Sequence, residues 1–236
     1  MQKVASLSLF LPAFNEEANV EKIVRQAQQV LPNVAETWEI IPVNDGSVDQ
    51  TGAIINRLAL EDPRVRPVHH PENRGYGGAV IFGCKAARYE LIFFTDADLQ
   101  FDLREISLLI GKLDEGDLIL GYRRQRQDPW HRRCNAWMWG LLVRRLFGFK
   151  VRDVDCAFKM FKREVLNQIQ LTARGAMVST ELLAWATRKK FRIVEVGVSH
   201  FPRQAETATG AKLSVILRAF SELFKLYPQI KASPNS

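Results

Sequence analysis

Cysteine is scarce in this chain: Cys84, Cys134 and Cys156 are three in 236 residues, an odd number with no paired spacing. A disulfide framework and a thiolate zinc site are excluded, and a reducing, cytoplasmic setting is expected. Long hydrophobic runs are missing as well. The longest in the arginine-rich middle covers 136–143, too short to span a bilayer. No signal-peptide pattern precedes the first strand pattern. The chain is therefore expected to be soluble or to lie on the cytoplasmic face of a membrane. Two common phosphate-binding signatures are absent. There is no G-x-x-x-x-G-K-[ST], and no G-x-G-x-x-G follows the first strand; Gly75-Tyr76-Gly77-Gly78 has another spacing and follows the third. Acidic residues are outnumbered, 26 against 33 basic, for a net charge of +7. That excess suits nucleic acid, an anionic membrane or a phosphorylated substrate, without choosing among them.

What is present alternates. Strand patterns over 6–11, 38–43, 65–69 and 91–94 are separated by helical patterns, of which the first carries Val20, Ile23, Val24, Ala27, Val30 and Leu31 on one face. The first strand is expected to break at Pro12, with Asn15 capping the helix that follows. Pro42 makes the second an edge strand or one that ends early. A helix runs over 51–60, and another opens after the glycines at 75–78. Further strands fall at 117–120 and 193–198. Such alternation predicts an α/β fold with a mostly parallel sheet and helices on both faces. No linker or repeat divides it, so one domain is expected over 1–236: a nucleotide half to 120, an acceptor half over 121–210, and an amphipathic helix and tail over 211–236. Ligands in such sheets bind beyond the carboxyl ends of the strands, where the polar and glycine-rich segments at 12–17, 44–51, 73–79 and 95–100 fall.

Asp96-Ala97-Asp98 follows four apolar residues, 91–94. Two carboxylates at a strand end can hold a hard divalent cation, Mg2+ or Mn2+, that bridges diphosphate oxygens, and Gln100 adds a neutral oxygen. The competing reading is helix capping. Asn15 and Asp45 likewise suit capping or turns as well as ligand contact.

Taken in order, Leu11-Pro12-Ala13-Phe14-Asn15-Glu16-Glu17, Val43-Asn44-Asp45-Gly46-Ser47, Asn73-Arg74-Gly75-Tyr76-Gly77-Gly78-Ala79 and Asp96-Ala97-Asp98-Leu99-Gln100 resemble the family 2 glycosyltransferases. The resemblance implies a GT-A, Rossmann-like nucleotide-sugar fold. It places Pro12, Ala13, Asn15 and Glu16 in the nucleoside pocket and Asp45 on the base or ribose. Arg74 and Gly75 lie beside the nucleotide, Ala79 in the wall, and Asp96 with both nucleotide and metal.

The second half carries Gly121-Tyr122-Arg123, Arg132-Arg133, Arg152-Asp153 followed by Phe158-Lys159, and Pro202-Arg203, with five arginines between positions 123 and 133. These elements resemble the branch of the family that transfers sugars to dolichyl and bacterial polyprenyl phosphates. Arg123, Arg132 or Arg133, and Arg203 would then hold phosphates, for which the guanidinium fork is suited. The alternative is a solvated or lipid-facing basic surface, the better reading for Arg124 and Arg126. The branch more often has Asp-x-x-Ser-Gly-Phe where this chain has Asp153-Val154-Asp155-Cys156-Ala157-Phe158, and Asp155 adds a charge. The four histidines, 69, 70, 131 and 200, read as loop or core residues. Glu181 reads as a general base or as a first-turn carboxylate favoured by the helix dipole; the second is preferred, because a phosphate acceptor is already ionised.

Leu213, Ile216, Leu217, Phe220, Leu223, Phe224 and Tyr227 form a helical stripe that packs on the domain or a partner protomer, or lies in a membrane surface. Trp137, Trp139, Leu141, Leu142 and Phe147, with Arg144 and Arg145, offer a second such surface. The expected activity is inverting, metal-dependent transfer of a hexose from a GDP-mannose or UDP-glucose type donor to a polyprenyl phosphate. Asp98, Arg123 and Arg203 would carry catalysis. A homo-oligomer or a membrane-anchoring subunit is a possible partner. Transfer to a hydroxyl acceptor is the alternative; a nucleic-acid or membrane-binding module is the remote one, supported only by charge.

Overall fold

The computed structural model describes residues 3–124, 130–202 and 213–232, without the side chains of 130–133 and 213–218. Seven strands form one sheet: β1 (Val4–Ala13), β2 (Ala35–Asn44), β3 (Val68–His69), β4 (Leu91–Thr95), β5 (Leu118–Arg123), β6 (Phe158–Lys162) and β7 (Ile193–Val198). Their order across the sheet is β3-β2-β1-β4-β6-β5-β7. Every neighbouring pair is parallel except those of β6, which is antiparallel to both β4 and β5. On β1, Leu7, Ser8, Leu9, Phe10 and Leu11 are all sealed from solvent. Successive residues point to opposite faces, so both faces of the sheet are covered.

The cover comes from α1 (Val20–Val34), α2 (Thr51–Glu61), α3 (Tyr76–Ala86), α4 (Ile106–Ile110), α5 (Trp130–Phe147), α6 (Arg163–Asn167), α7 (Met177–Arg188) and α8 (Leu213–Ala232). In α1 the apolar side chains recur every three or four residues, and Val20, Ile23, Val24, Ala27 and Leu31 are buried by packing on β2. In α3 three glycines let the helix come close. A Cβ on Gly83 would lie 2.3 Å from the Phe10 ring, and one on Gly77 would lie 2.1 Å from the Ala173 carbonyl.

Several sequence expectations are corrected. Pro12 does not end β1, which pairs with β2 through Pro12↔Val43 and Ala13↔Asn44. The N-terminal cap position of α1 is Asn19, not Asn15. Asn15 instead has φ of 55° and binds the neighbouring loop. Pro42 neither ends β2 nor makes it the edge. The N–H groups of alternate residues face the 64–70 side: Ile40 N–H donates to the Arg64 carbonyl. Proline has no N–H to continue that series, so pairing lapses after the Ile40↔Val65 bridge and resumes at Val43↔Val68. On the β1 side the ladder is undisturbed. Among the described side chains of α8, from residue 219 on, the buried apolar ones are Leu223, Leu226 and Ile230, while Phe224 is 76% exposed and Phe220 faces partly outward. The core-facing stripe is thus rotated from the one read in the sequence.

Candidate active site

The carboxyl ends of β1, β2, β3 and β4 open on one edge of the sheet, because all four strands are parallel. Antiparallel β6 begins at that edge: Phe158 pairs with Thr95, the last residue of β4. The 153–157 segment is thereby delivered beside the 96–98 loop. Topology, not sequence proximity, assembles the site.

Asp45 follows β2 and is buried. Its Oδ1 accepts from His70 Nδ1 at 2.6 Å and from the Arg74 backbone N–H at 2.9 Å. The loop after β1 is laced to the loop after β2: Asn15 N–H donates to Ser47 Oγ, Asn15 Oδ1 accepts from Val48 N–H, and Glu16 N–H donates to Thr51 Oγ1. Glu16 is buried and its carboxylate accepts from Asn19 Nδ2 at 2.8 Å. Pro12 and Ala13 are buried at the end of β1, Arg74 is exposed, and Gly75 has φ of 84°. Ala79 is sealed in the core.

Asp96 and Asp98 lie in the loop after β4. Asp98 is buried and accepts from the Gln100 backbone N–H, with Leu99 between them at φ of 61°. Tyr76, at the start of α3, gives its hydroxyl to Asp96; burial, then Asp96, then Asp98 and Asp155 push that hydroxyl well above its ordinary pKa. Tyr76 therefore stays a protonated donor, and three carboxylates share its surroundings. Gln100 reaches elsewhere: its amide nitrogen donates to the Phe201 carbonyl and meets His200 Nε2 at 3.3 Å, leaving the carboxamide oxygen for any ligand. Among the described residues no three His, Cys, Asp or Glu side chains are grouped as a metal site. The protein's own contribution to a cation there would be the Asp96 and Asp98 pair. Two neighbouring carboxylates favour a cation, and hard oxygens suit Mg2+ or Mn2+ completed by diphosphate and water oxygens. The residues fit such an ion.

Lys159 has a place in a motif in the sequence reading but no role there. It sits on β6, fully buried, its ammonium donating to the Cys156 carbonyl and to Ser179 Oγ at 3.3 Å, 5.5 Å from the Phe94 ring centre. Burial lowers its pKa, and Cys156, Asp155, Asp153 and Asp96 oppose that shift. A lysine between the apolar Phe158 and Met160 of that strand is the signal that could have marked it. Burial also pushes the thiols of Cys84 and Cys156 up to about 12, which leaves neither as a nucleophile.

Arg123, expected to hold phosphate, forms a buried two-pronged pair with Asp153: Nε to Oδ2 at 2.6 Å and Nη2 to Oδ1 at 2.7 Å. Two of its nitrogens are thus committed within the protein. Arg124 is exposed, and its Nε donates to the Gly197 carbonyl. Glu181 is fully buried and accepts from Thr172 N–H, Thr172 Oγ1 and Ala173 N–H. Its hydrogen-bond partners lie in the preceding turn and are not the first N–H groups of α7. Arg126 and Arg203, and the side chains of His131, Arg132 and Arg133, lie outside the described residues.

A model of the family described as glycosyl transferase family 2 matches residues 8–170. The chain is 30% identical over 240 residues to dodecaprenyl-phosphate galacturonate synthase of Rhizobium johnstonii, covering 97% of this chain and 69% of the relative. It is 31% identical over 209 residues to polyprenol monophosphomannose synthase of Mycolicibacterium smegmatis, covering 83% and 77%. Of another matched relative it spans 38%. Among solved structures, glucosyl-3-phosphoglycerate synthase from Mycobacterium tuberculosis, in complex with Mn2+, UDP and phosphoglyceric acid, superposes with a TM-score of 0.70 at 20% identity, over 98% of this chain and 80% of that one. At that identity the likeness is one of fold.

Proposed function

This chain belongs to glycosyl transferase family 2, and on that premise we propose that it transfers a hexose from a nucleoside diphosphate donor to a polyprenyl phosphate, with inversion. The relatives named for dodecaprenyl-phosphate and polyprenol phosphate products support the acceptor class. The observation that carries the reading is the meeting of the 96–98 loop with the amino end of β6 at the carboxyl edge of the sheet. Asp45, Asn15, Glu16, Arg74 and Gly75 surround the nucleoside. Asp96 and Asp98 would hold Mg2+ or Mn2+, which when bound neutralises charge on the leaving diphosphate. Tyr76 orients Asp96 by its hydrogen bond. An acceptor phosphate oxygen attacks the anomeric carbon on the face opposite the leaving group, so its configuration inverts. Such an oxygen is already ionised and needs no base. The commitment of Glu181 to three donors in the 172–173 turn favours this over a hydroxyl acceptor. With Arg123 paired to Asp153, the acceptor phosphate falls to Arg203 and the Arg132–Arg133 pair.

Peripheral membrane attachment belongs to the same reading. No helix among the described residues is long and apolar enough to cross a bilayer. Yet α5 and α8 meet through Trp139 on Phe220 and Phe147 on Tyr227, which joins the two apolar stripes of the sequence into one surface. Trp137, Met138, Leu141 and Phe224 are exposed there, and α5 carries no acidic residue. Such a surface suits anionic lipid.

The test is transfer of labelled sugar, from GDP-mannose or UDP-glucose, to a short polyprenyl phosphate with the matching polyprenol as control. Transfer to the phosphate alone is expected, with Arg203→Ala reducing it about 30- to 1000-fold, as for loss of a charge-assisted contact worth ~2–4 kcal/mol in the transition state. Equal transfer to polyprenol would overturn the phosphate acceptor and promote the hydroxyl one.

A further inference from the structure

Asp45 is the carboxylate on which the proposed nucleoside pocket turns, and its orientation is set by a histidine. Oδ1 takes both of its hydrogen bonds, from His70 Nδ1 and from the Arg74 backbone; no described residue bonds Oδ2. The His70 side chain is 3% exposed. Its ring stands edge-on to Phe82 at 4.4 Å, and its backbone N–H donates to the Asn44 carbonyl. Nε2 is enclosed and has no partner among the described residues. A carboxylate only accepts, so the ring proton is on Nδ1. For packing alone, phenylalanine or leucine would avoid the cost of a buried, orphaned nitrogen. What the imidazole supplies at this place is a single donor aimed at Asp45.

We propose that His70 is a positioning residue for nucleoside recognition. By filling Oδ1 together with the Arg74 amide, it fixes the rotation of the Asp45 carboxylate and leaves Oδ2 as the acceptor offered to a base N–H or a ribose hydroxyl of the donor. The same two bonds clamp the loop after β2 to the loop after β3. Gly46 lets them close: at φ of 68°, its Cβ would lie 2.5 Å from the Glu72 backbone. The inference rests on the reading above in which Asp45 meets the nucleoside.

The experiment is calorimetric binding of UDP and GDP to the full chain, with KM and kcat for UDP-glucose and GDP-mannose, for four His70 variants and Asp45→Ala. His70→Asn places an amide donor near the Nδ1 position, and His70→Gln places it near Nε2. His70→Leu and His70→Phe have no donor, and the phenyl ring keeps the packing on Phe82 should the leucine variant fold poorly. His70→Phe and His70→Gln should weaken nucleotide binding about ten- to a hundredfold, as for loss of a bond to a charged group. KM should rise and kcat stay nearly constant, and His70→Asn should recover most of the affinity. A His70→Phe protein that binds like the parent overturns the positioning role, as does a His70→Asn protein as weak as His70→Gln. If Asp45→Ala also binds normally, it is the nucleoside reading of Asp45 that fails. If Asp45→Ala binds weakly while His70→Phe does not, only the role of His70 is lost.

Discussion

The Arg123–Asp153 pair offers a prediction in which stability and function separate. Both side chains are about nine-tenths buried, at 10% and 9% exposure, with two short bonds between them. Solvent and salt therefore screen the pair little. Asp153→Asn leaves a buried guanidinium without its counter-charge, which costs about 3–5 kcal/mol. For a chain of this size each kcal/mol moves the melting temperature by roughly 2–4 °C, so a fall of about 6–20 °C is expected. Arg123→Met/Asp153→Leu removes both charges and should be more stable than Asp153→Asn alone. Urea unfolding measures this as a lower midpoint at an unchanged m-value, nearly the same at 0.1 M and 1 M NaCl. The reasoning is refuted if Asp153→Asn stays within about 1 kcal/mol of the parent. It is refuted equally if the two single losses simply add in the double variant. Either result would return Arg123 to the phosphate role first read in the sequence, and KM for the lipid phosphate, not stability, would then move.

Three further outcomes are expected. Asp98→Asn should lose most turnover and most of any thermal stabilisation by Mn2+ with nucleotide while its own melting temperature barely changes; full activity in chelator-treated buffer would sink the metal assignment. In native protein at pH 8 a thiol reagent should label one cysteine, the exposed Cys134, and three after unfolding, because burial holds the Cys84 and Cys156 thiols near pKa 12. Asp117 is held well below the usual carboxylate range, first by its bond from Arg192 and then by Lys162. Its stabilising effect is thus present above the unfolded carboxylate pKa, ~4, and is lost as pH falls through the lowered folded value. Asp117→Asn should flatten the acid limb of the stability curve measured by urea titration between pH 2 and 5.

The parallel half of the fold was legible because its strands and helices are local and periodic: the strand over 193–198 coincides with β7, and the helix over 51–60 falls within α2. The proline positions misled, because proline's cost depends on which neighbour its missing N–H would have faced, and that is set by the sheet. The aspartates and glycines of the site could be picked out as strand-end loops. The partners of Arg123, Asp45 and Glu181 could not. Each lies far along the chain or in a turn with no pattern of its own: Asp153 is 30 residues from Arg123, and His70 is 25 from Asp45. The antiparallel strand FKMFK was hidden by its two lysines, one buried with its ammonium on the Cys156 carbonyl and the other bound to Asp117.

The place of β6 between β4 and β5 has a consequence for how the chain is made. During synthesis β4 and β5 leave the ribosome before β6, yet they are not neighbours in the finished sheet. Until residues 158–162 have emerged, one side of β4 has unpaired backbone groups, and its five residues are all of the kind buried in the final core. At about 5–20 residues per second that interval lasts several seconds. A nascent chain arrested before β6 should therefore be the species that chaperones hold, and a fragment ending near residue 125 should aggregate through the bare edge of β4.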